Sequence, residues 1–192
     1  MINNLTWQAS LSEGIRQMLS EFGEVGQENH TEGTPLRVVE SYRELFSGVG
    51  KDPAEVLRVS FEEAHYNQMI TVESIDFVSS CQHHLLPFYG TVNFSYLPDK
   101  RIVGLSKIPR MIDILARRPQ VQERLTQQIV DTFQETVQPL GCAAMVRAWH
   151  ACAAIRGVKK PNIRMRTTAL TGYFLAKPAV KEEFLLSCRE RS

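Results

Sequence analysis

No apolar run in the 192 residues approaches the roughly 20 needed to cross a bilayer. The first residues, MINNLTWQASLSEG, lack a basic stretch followed by an apolar core, so no secretory leader is expected. Both absences point to a cytoplasmic protein with no membrane partner. Cysteine is scarce. Cys81, Cys142, Cys152 and Cys188 are too few for a disulfide scaffold at this length. In a reducing compartment each is a ligand, a catalyst or a packed apolar residue. There is no internal repeat, no low-complexity tract and no glycine-rich phosphate loop. That leaves an ordinary globular composition, long enough for one sizeable core.

What is present is unevenly spread. Residues 1–99 carry 5 Lys/Arg and 14 Asp/Glu, whereas residues 100–166 carry 13 and 4. A basic middle segment predicts an anionic partner. The basic residues are interleaved with helix and strand patterns and form no tail. A small phosphorylated ligand therefore fits at least as well as a nucleic acid.

Hydrophobic spacing sketches the elements. LTWQASLSEGIRQMLSEFGE reads as an amphipathic helix, and GQENHTEGTP as a loop. A second helix should start with Thr34 as cap and Pro35 in its first turn, and stop at SGVG. MITVESIDFVSS (69–80) and TVNFSYLP (91–98) read as strands, with Asp99 and Lys100 turning the chain into RIVGLS. SKIPRMIDILARR and PQVQERLTQQIVDTFQETV are helical, the latter with Val121, Leu125, Ile129, Phe133 and Val137 at four-residue steps. CAAMVRAWHACAAI (142–155) and MRTTALTGYFLA (165–176) read as strands, followed by a short helix from Lys177. The pattern is α+β. A helical region at 1–50 precedes one compact catalytic unit at 51–192.

The stretch CQHHLLPFYG (81–90) raises the chemical question. Cys81 and His84, with two residues between them, can be turned by a loop toward one point. WHAC supplies His150 and Cys152, which share a face if both lie on a strand. Thiolate and imidazole donors together favour zinc, and three protein ligands with one open position would make a catalytic site. His83, His84 and His150 cannot all be ligands without closing that site. Those left over stand within reach of a water on the metal and titrate near neutrality. His30 and His65 lack ligand spacing and read as surface residues.

Three ordered blocks, CQHHLLPFYG, GLSKIPRMIDILARRPQVQERLTQQI and WHACAAIRGVKKP, resemble the GTP cyclohydrolase I family. TPLRVVESYRELFSG and TTALTGYF extend the likeness from about Thr34 to the end of the chain. The resemblance implies the tunnelling fold (T-fold), an antiparallel sheet backed by two long helices, here with an N-terminal helical extension. It implies a homo-oligomer, a decamer with active sites at subunit interfaces. The implied reaction converts GTP and water into 7,8-dihydroneopterin triphosphate and formate. Cys81, His84 and Cys152 match zinc ligands. His83 and His150 match proton-transferring histidines, and Ser106 matches a residue at the ribose. Glu123 matches the carboxylate that reads guanine, with Gln122 beside it. Lys107, Arg110 and Arg156 match triphosphate contacts. Cys142 and Cys188 match nothing functional and read as packing.

Four features depart from the family pattern. Gln82 replaces a glutamate, and Glu40 stands where many members carry a Lys or Arg. The link before TP is shortened to GQENHTEG. NIRMRTT adds Arg164 and Arg166, either of which could offset Glu40 in the anion pocket. These departures keep open a paralogue acting on a related guanine nucleotide or giving an altered product. Two other readings are a deazaguanine nitrile reductase of the same fold and a non-catalytic guanine-nucleotide-binding subunit with structural zinc.

Overall fold

Hydrogen-bonding partners decide where each element of this chain begins and ends, as seen in a computed structural model that describes residues 4–23, 31–58, 60–62 and 66–189. His30, His65 and the first half of the predicted loop at 26–35 lie outside the described residues. The chain divides into two units, Met1–Ser47 and Gly48–Ser192.

The first unit holds α1 (Asn4–Glu21) and α2 (Thr34–Leu45). Arg43 lies over the Trp7 ring, 5.4 Å from its centroid. Thr34 is not the cap of α2. Gly33 occupies that position, no side chain caps the helix, and the Thr34 N–H is already bonded to Thr31 O.

The second unit is built on a five-stranded sheet in the order β5-β2-β3-β6-β7. Its members are β2 (Ile70–Cys81), β3 (Pro87–Leu97), β5 (Pro119–Gln120), β6 (Gly141–His150) and β7 (Met165–Leu170). All pairings are antiparallel except the two-residue β5, which runs parallel to the end of β2. A separate small pair joins β1 (Ser60–Glu62) to β4 (Arg101–Val103). Helices α3 (Lys107–Ala116) and α4 (Gln122–Val137) supply the apolar backing. Ile108, Met111, Ile112 and Leu115 join Leu125, Ile129, Val130 and Phe133 in one core with Phe77, Phe88, Phe94 and Val146. The Phe133 ring meets Phe94 at 4.8 Å and Tyr96 at 4.9 Å. This is the α+β arrangement expected of the family, a sheet backed by two long helices.

Two predicted strands end early, for one reason. β6 pairs with β3 only as far as Phe88↔His150, and with β7 only as far as Ala148↔Met165. Beyond His150 no ladder partner remains on either side. The alanine-rich sequence that follows then takes its intrinsic preference and forms α5 (Ala151–Ala154). Cys152 is thus in a helical turn, and the shared-face argument linking it to His150 does not hold. Likewise β7 stops at Leu170, Gly172 turns the chain at φ +50°, and α6 (Gly172–Ala176) leads to α7 (Pro178–Ser187). Phe174 of α6 and Phe184 of α7 pack on Ala143 and Met145 of β6. They therefore cover the face opposite to the one bearing Val146 and Ala148.

Gly90 marks a close crossing of β3 and β6. A Cβ there would overlap the Arg147 carbonyl, so only glycine fits.

Candidate metal centre and its neighbours

The link between β2 and β3 is a tight turn. The Cys81 N–H donates to Leu86 O at 2.8 Å, and the Leu85 N–H donates back to Cys81 O at 2.8 Å. Closing it places Leu85 at φ +53°, a left-handed conformation that a branched residue adopts at a cost of roughly 1 kcal/mol. The result is that His83 and His84 fold back over the end of β2. Both Nδ1 atoms stand 3.8 Å from Cys81 Sγ. Cys81 is buried, while Gln82, His83 and His84 are exposed.

The ligand atoms of Cys81, His84 and Cys152 lie within 4.8 Å of one another. The 3.8 Å between Cys81 Sγ and His84 Nδ1 suits two donors on one ion with bonds of about 2.0–2.3 Å. The donor set, two thiolates and an imidazole, is one that zinc favours. Burial pushes the Cys152 thiol up, and the adjacent Cys81 pushes it further, with Arg156 opposing. A divalent cation between the sulfurs would reverse that balance and hold both as thiolates.

His150 is held quite differently. Its ring lies flat on Phe88, with centroids 4.7 Å apart and planes 3° from parallel. Its Nε2 is 2.8 Å from Gln122 Oε1. Burial lowers its pKa below the ordinary value, and the Glu123 carboxylate opposes this.

The remaining predicted residues fall into two places. Gln122 and Glu123 open α4, where Gln122 is buried and Glu123 exposed. Ser106 precedes α3 at its cap position without capping it, and Lys107 and Arg110 follow in the first turn. Among the described residues, no hydrogen bond joins these three to the cysteine–histidine group. Arg156 is exposed beyond α5 and acts on Cys152 through its charge. Arg164 and Arg166 line a cavity of about 660 Å³ with Arg147, Met165 and Arg189.

Sequence reading missed three residues around His150: Phe88 as its stacking partner, and Thr126 and Thr167 beside Gln122. Phe88 reads as general apolar support, and only the β3–β6 register, Phe88↔His150, reveals its specific role. Cys142 is packed as expected. It is buried, its Sγ lies 3.4 Å from Val130 O, and burial pushes its thiol up to about 12. All four cysteines are free.

A sequence profile described as GTP cyclohydrolase I matches residues 11–189. A protein named GTP cyclohydrolase 1 from Dehalococcoides mccartyi is 43% identical over 180 residues, covering 93% of this chain and 95% of that one. One of the same name from Wolinella succinogenes is 41% identical over 179 residues, covering 92% and 94%. One from Rickettsia africae is 44% identical over 174 residues, covering 91% and 92%. Among solved structures, an archaeosine synthase QueF-Like in the apo form is similar at 15% identity with a TM-score of 0.44. That match covers 54% of this chain and 93% of the other. With a profile spanning nearly its whole length and relatives above 40% identity, the chain belongs to the GTP cyclohydrolase I family and is a hydrolase of that type.

Proposed function

We propose that the chain is a zinc-dependent enzyme that opens the imidazole ring of GTP at C8, releases formate and forms 7,8-dihydroneopterin triphosphate. The observation that carries this reading is the convergence of Cys81, His84 and Cys152, with His83 left over beside them and His150 two residues before Cys152 in the chain. Zinc held there would supply Lewis acidity, making a water nucleophilic near neutral pH. His83 and His150 move protons to and from the opening ring, a task suited to imidazoles, which carry one donor and one acceptor nitrogen. A purely structural site would leave both without a role.

The Glu123 carboxylate accepts from the N1–H and 2-amino group of guanine. Adenine offers no such pair of donors. Lys107, Arg110 and Arg156 neutralise the triphosphate, which gives the basic middle segment its partner. Ser106 serves the ribose during the rearrangement that precedes closure of the new ring. The working form is a homo-oligomer, a decamer with interfacial sites, in a reducing cytoplasm.

Purified, metal-analysed protein incubated with GTP tests the reading. One formate and one oxidisable pterin per GTP consumed, with one zinc per chain, are expected. Binding of GTP without turnover would sink it.

Two departures favour a second reading, a paralogue for a related guanine nucleotide. Gln82 carries no charge beside His83, and Glu40 would repel phosphate. On this reading Arg164 and Arg166 restore positive charge. Comparison of GTP with its diphosphate and deoxy analogues separates the two by kcat/KM.

A further inference from the structure

The carboxamide of Gln122 is fixed by its surroundings, and this has a chemical consequence one residue away. Gln122 is buried at the start of α4. Its Nε2 lies 3.1 Å from Val146 O, 3.2 Å from Met165 O and 3.0 Å from Thr167 Oγ1. Two of these neighbours are backbone carbonyls, which only accept.

The third neighbour is also an acceptor, by elimination. Thr126 Oγ1 donates its single proton to the Gln122 backbone carbonyl at 2.7 Å. Thr126 and Thr167 hydroxyls are 2.6 Å apart, so Thr167 is the donor between them. With its proton used, Thr167 presents a lone pair to Gln122. A flipped amide would set its oxygen against three acceptors in a buried site, leaving groups unpaired at about 1–3 kcal/mol each. The nitrogen therefore faces inward, and Oε1 faces His150 Nε2 at 2.8 Å. A carboxamide oxygen cannot donate. His150 Nε2 must carry the hydrogen, and in the neutral ring Nδ1 then bears the lone pair.

We propose that Gln122 is a positioning residue that locks His150 in the Nε2–H tautomer and leaves the ring's lone pair on Nδ1. Phe88 fixes the ring plane and Gln122 fixes the proton. The carboxamide is thereby committed to the protein, and guanine recognition falls to Glu123 without it. The catalytic half of this inference rests on His150 acting as proposed above. The tautomer itself does not.

The test uses zinc-loaded protein labelled with 15N-histidine, at about pH 8, where an ordinary imidazole is neutral. His150 is assigned by the signals lost in His150→Asn. An unprotonated Nδ1 and a protonated Nε2 are expected. The opposite pattern, or a mixture, overturns the proposal whatever the activity. Kinetics supply the second arm. Gln122→Leu should lower kcat about 100-fold, as loss of an oriented proton carrier does, with KM for GTP within about threefold. Gln122→Glu keeps an oxygen for Nε2 only with its inner oxygen protonated toward the Val146 and Met165 carbonyls, and in that form should retain the tautomer and part of the activity. A raised KM at unchanged kcat would make Gln122 a substrate contact and defeat the proposal. Absence of formate release by the unaltered enzyme would defeat the functional reading instead, and the spectrum would still decide the tautomer.

Discussion

The two histidines proposed to carry protons sit in opposite circumstances. His83 is on an exposed turn, touched by Gln82 Nε2 at 3.3 Å and by the Cys81 sulfur at 3.8 Å. His150 is stacked on Phe88 and hydrogen-bonded to a buried amide. One half of the site is organised by the folded core. The other half has a backbone set by the turn, and its exposed side chains touch only one another and the Cys81 sulfur among the contacts described above. A site of this kind combines a rigid reference with an adjustable partner, which lets geometry tighten on binding without rebuilding the core.

Breaking the adjustable half should have the largest effect. Cys152→Ala removes one of the three proposed ligands, and bound zinc should fall to background by metal analysis. Activity should fall more than the roughly 10–100-fold typical of losing a partner behind a ligand. Chelation of the unaltered protein should have the same consequence and open Cys81 and Cys152 to alkylation. Cys142, with its thiol pushed up to about 12, should stay unmodified. Metal retention by Cys152→Ala would show that another group completes the site.

Loosening the rigid half comes next. Phe88→Leu keeps an apolar side chain but removes the flat surface beneath His150. An aromatic pair is worth about 0.5–1.5 kcal/mol, so kcat should fall up to about tenfold with zinc content unchanged. A loss of zinc instead would mean the two halves are not separable. Gln82→Glu sharpens the comparison from the other side. It puts a charged acceptor beside His83, and kcat should change less than about tenfold, the scale of one exposed charged contact. The smallest effect is expected from Arg166→Ala. An exposed arginine assisting phosphate should raise KM for GTP about two- to fivefold, again the scale of a single exposed charge. An unchanged KM in both Arg164→Ala and Arg166→Ala would remove them from the anion pocket.

The comparison also explains what the sequence disclosed. Cys81 and His84 are close in the chain, and their site is a local turn, so spacing alone announces it. Helices α3 and α4 announce themselves through periodicity, which tertiary packing then obeys. Cys152 joins Cys81 and His84 from a helical turn and not from the strand its sequence suggests. Where β6 ends depends on where β3 and β7 stop pairing, a non-local fact that no window of residues contains. Gln122 was legible as a polar residue opening a helix, and nothing in the sequence says that its amide is spent inside the protein. That depends on Val146, Met165 and Thr167, carried by two strands that α4 crosses. The tautomer of His150 is thus a property of the tertiary structure and invisible one dimension down.

Gly90 bears on this in terms of alignment. A strand pair can in principle slide, and a shift of one residue would turn every side chain to the other face. At Gly90 the two backbones come so near that only a position without a side chain passes the Arg147 carbonyl. Any slip would bring Tyr89 or Thr91 to that crossing and be refused. Two residues on, the same ladder seats Phe88 opposite His150. The glycine therefore works as the notch of a key, and its missing methyl group is what keeps the ring and its platform in register.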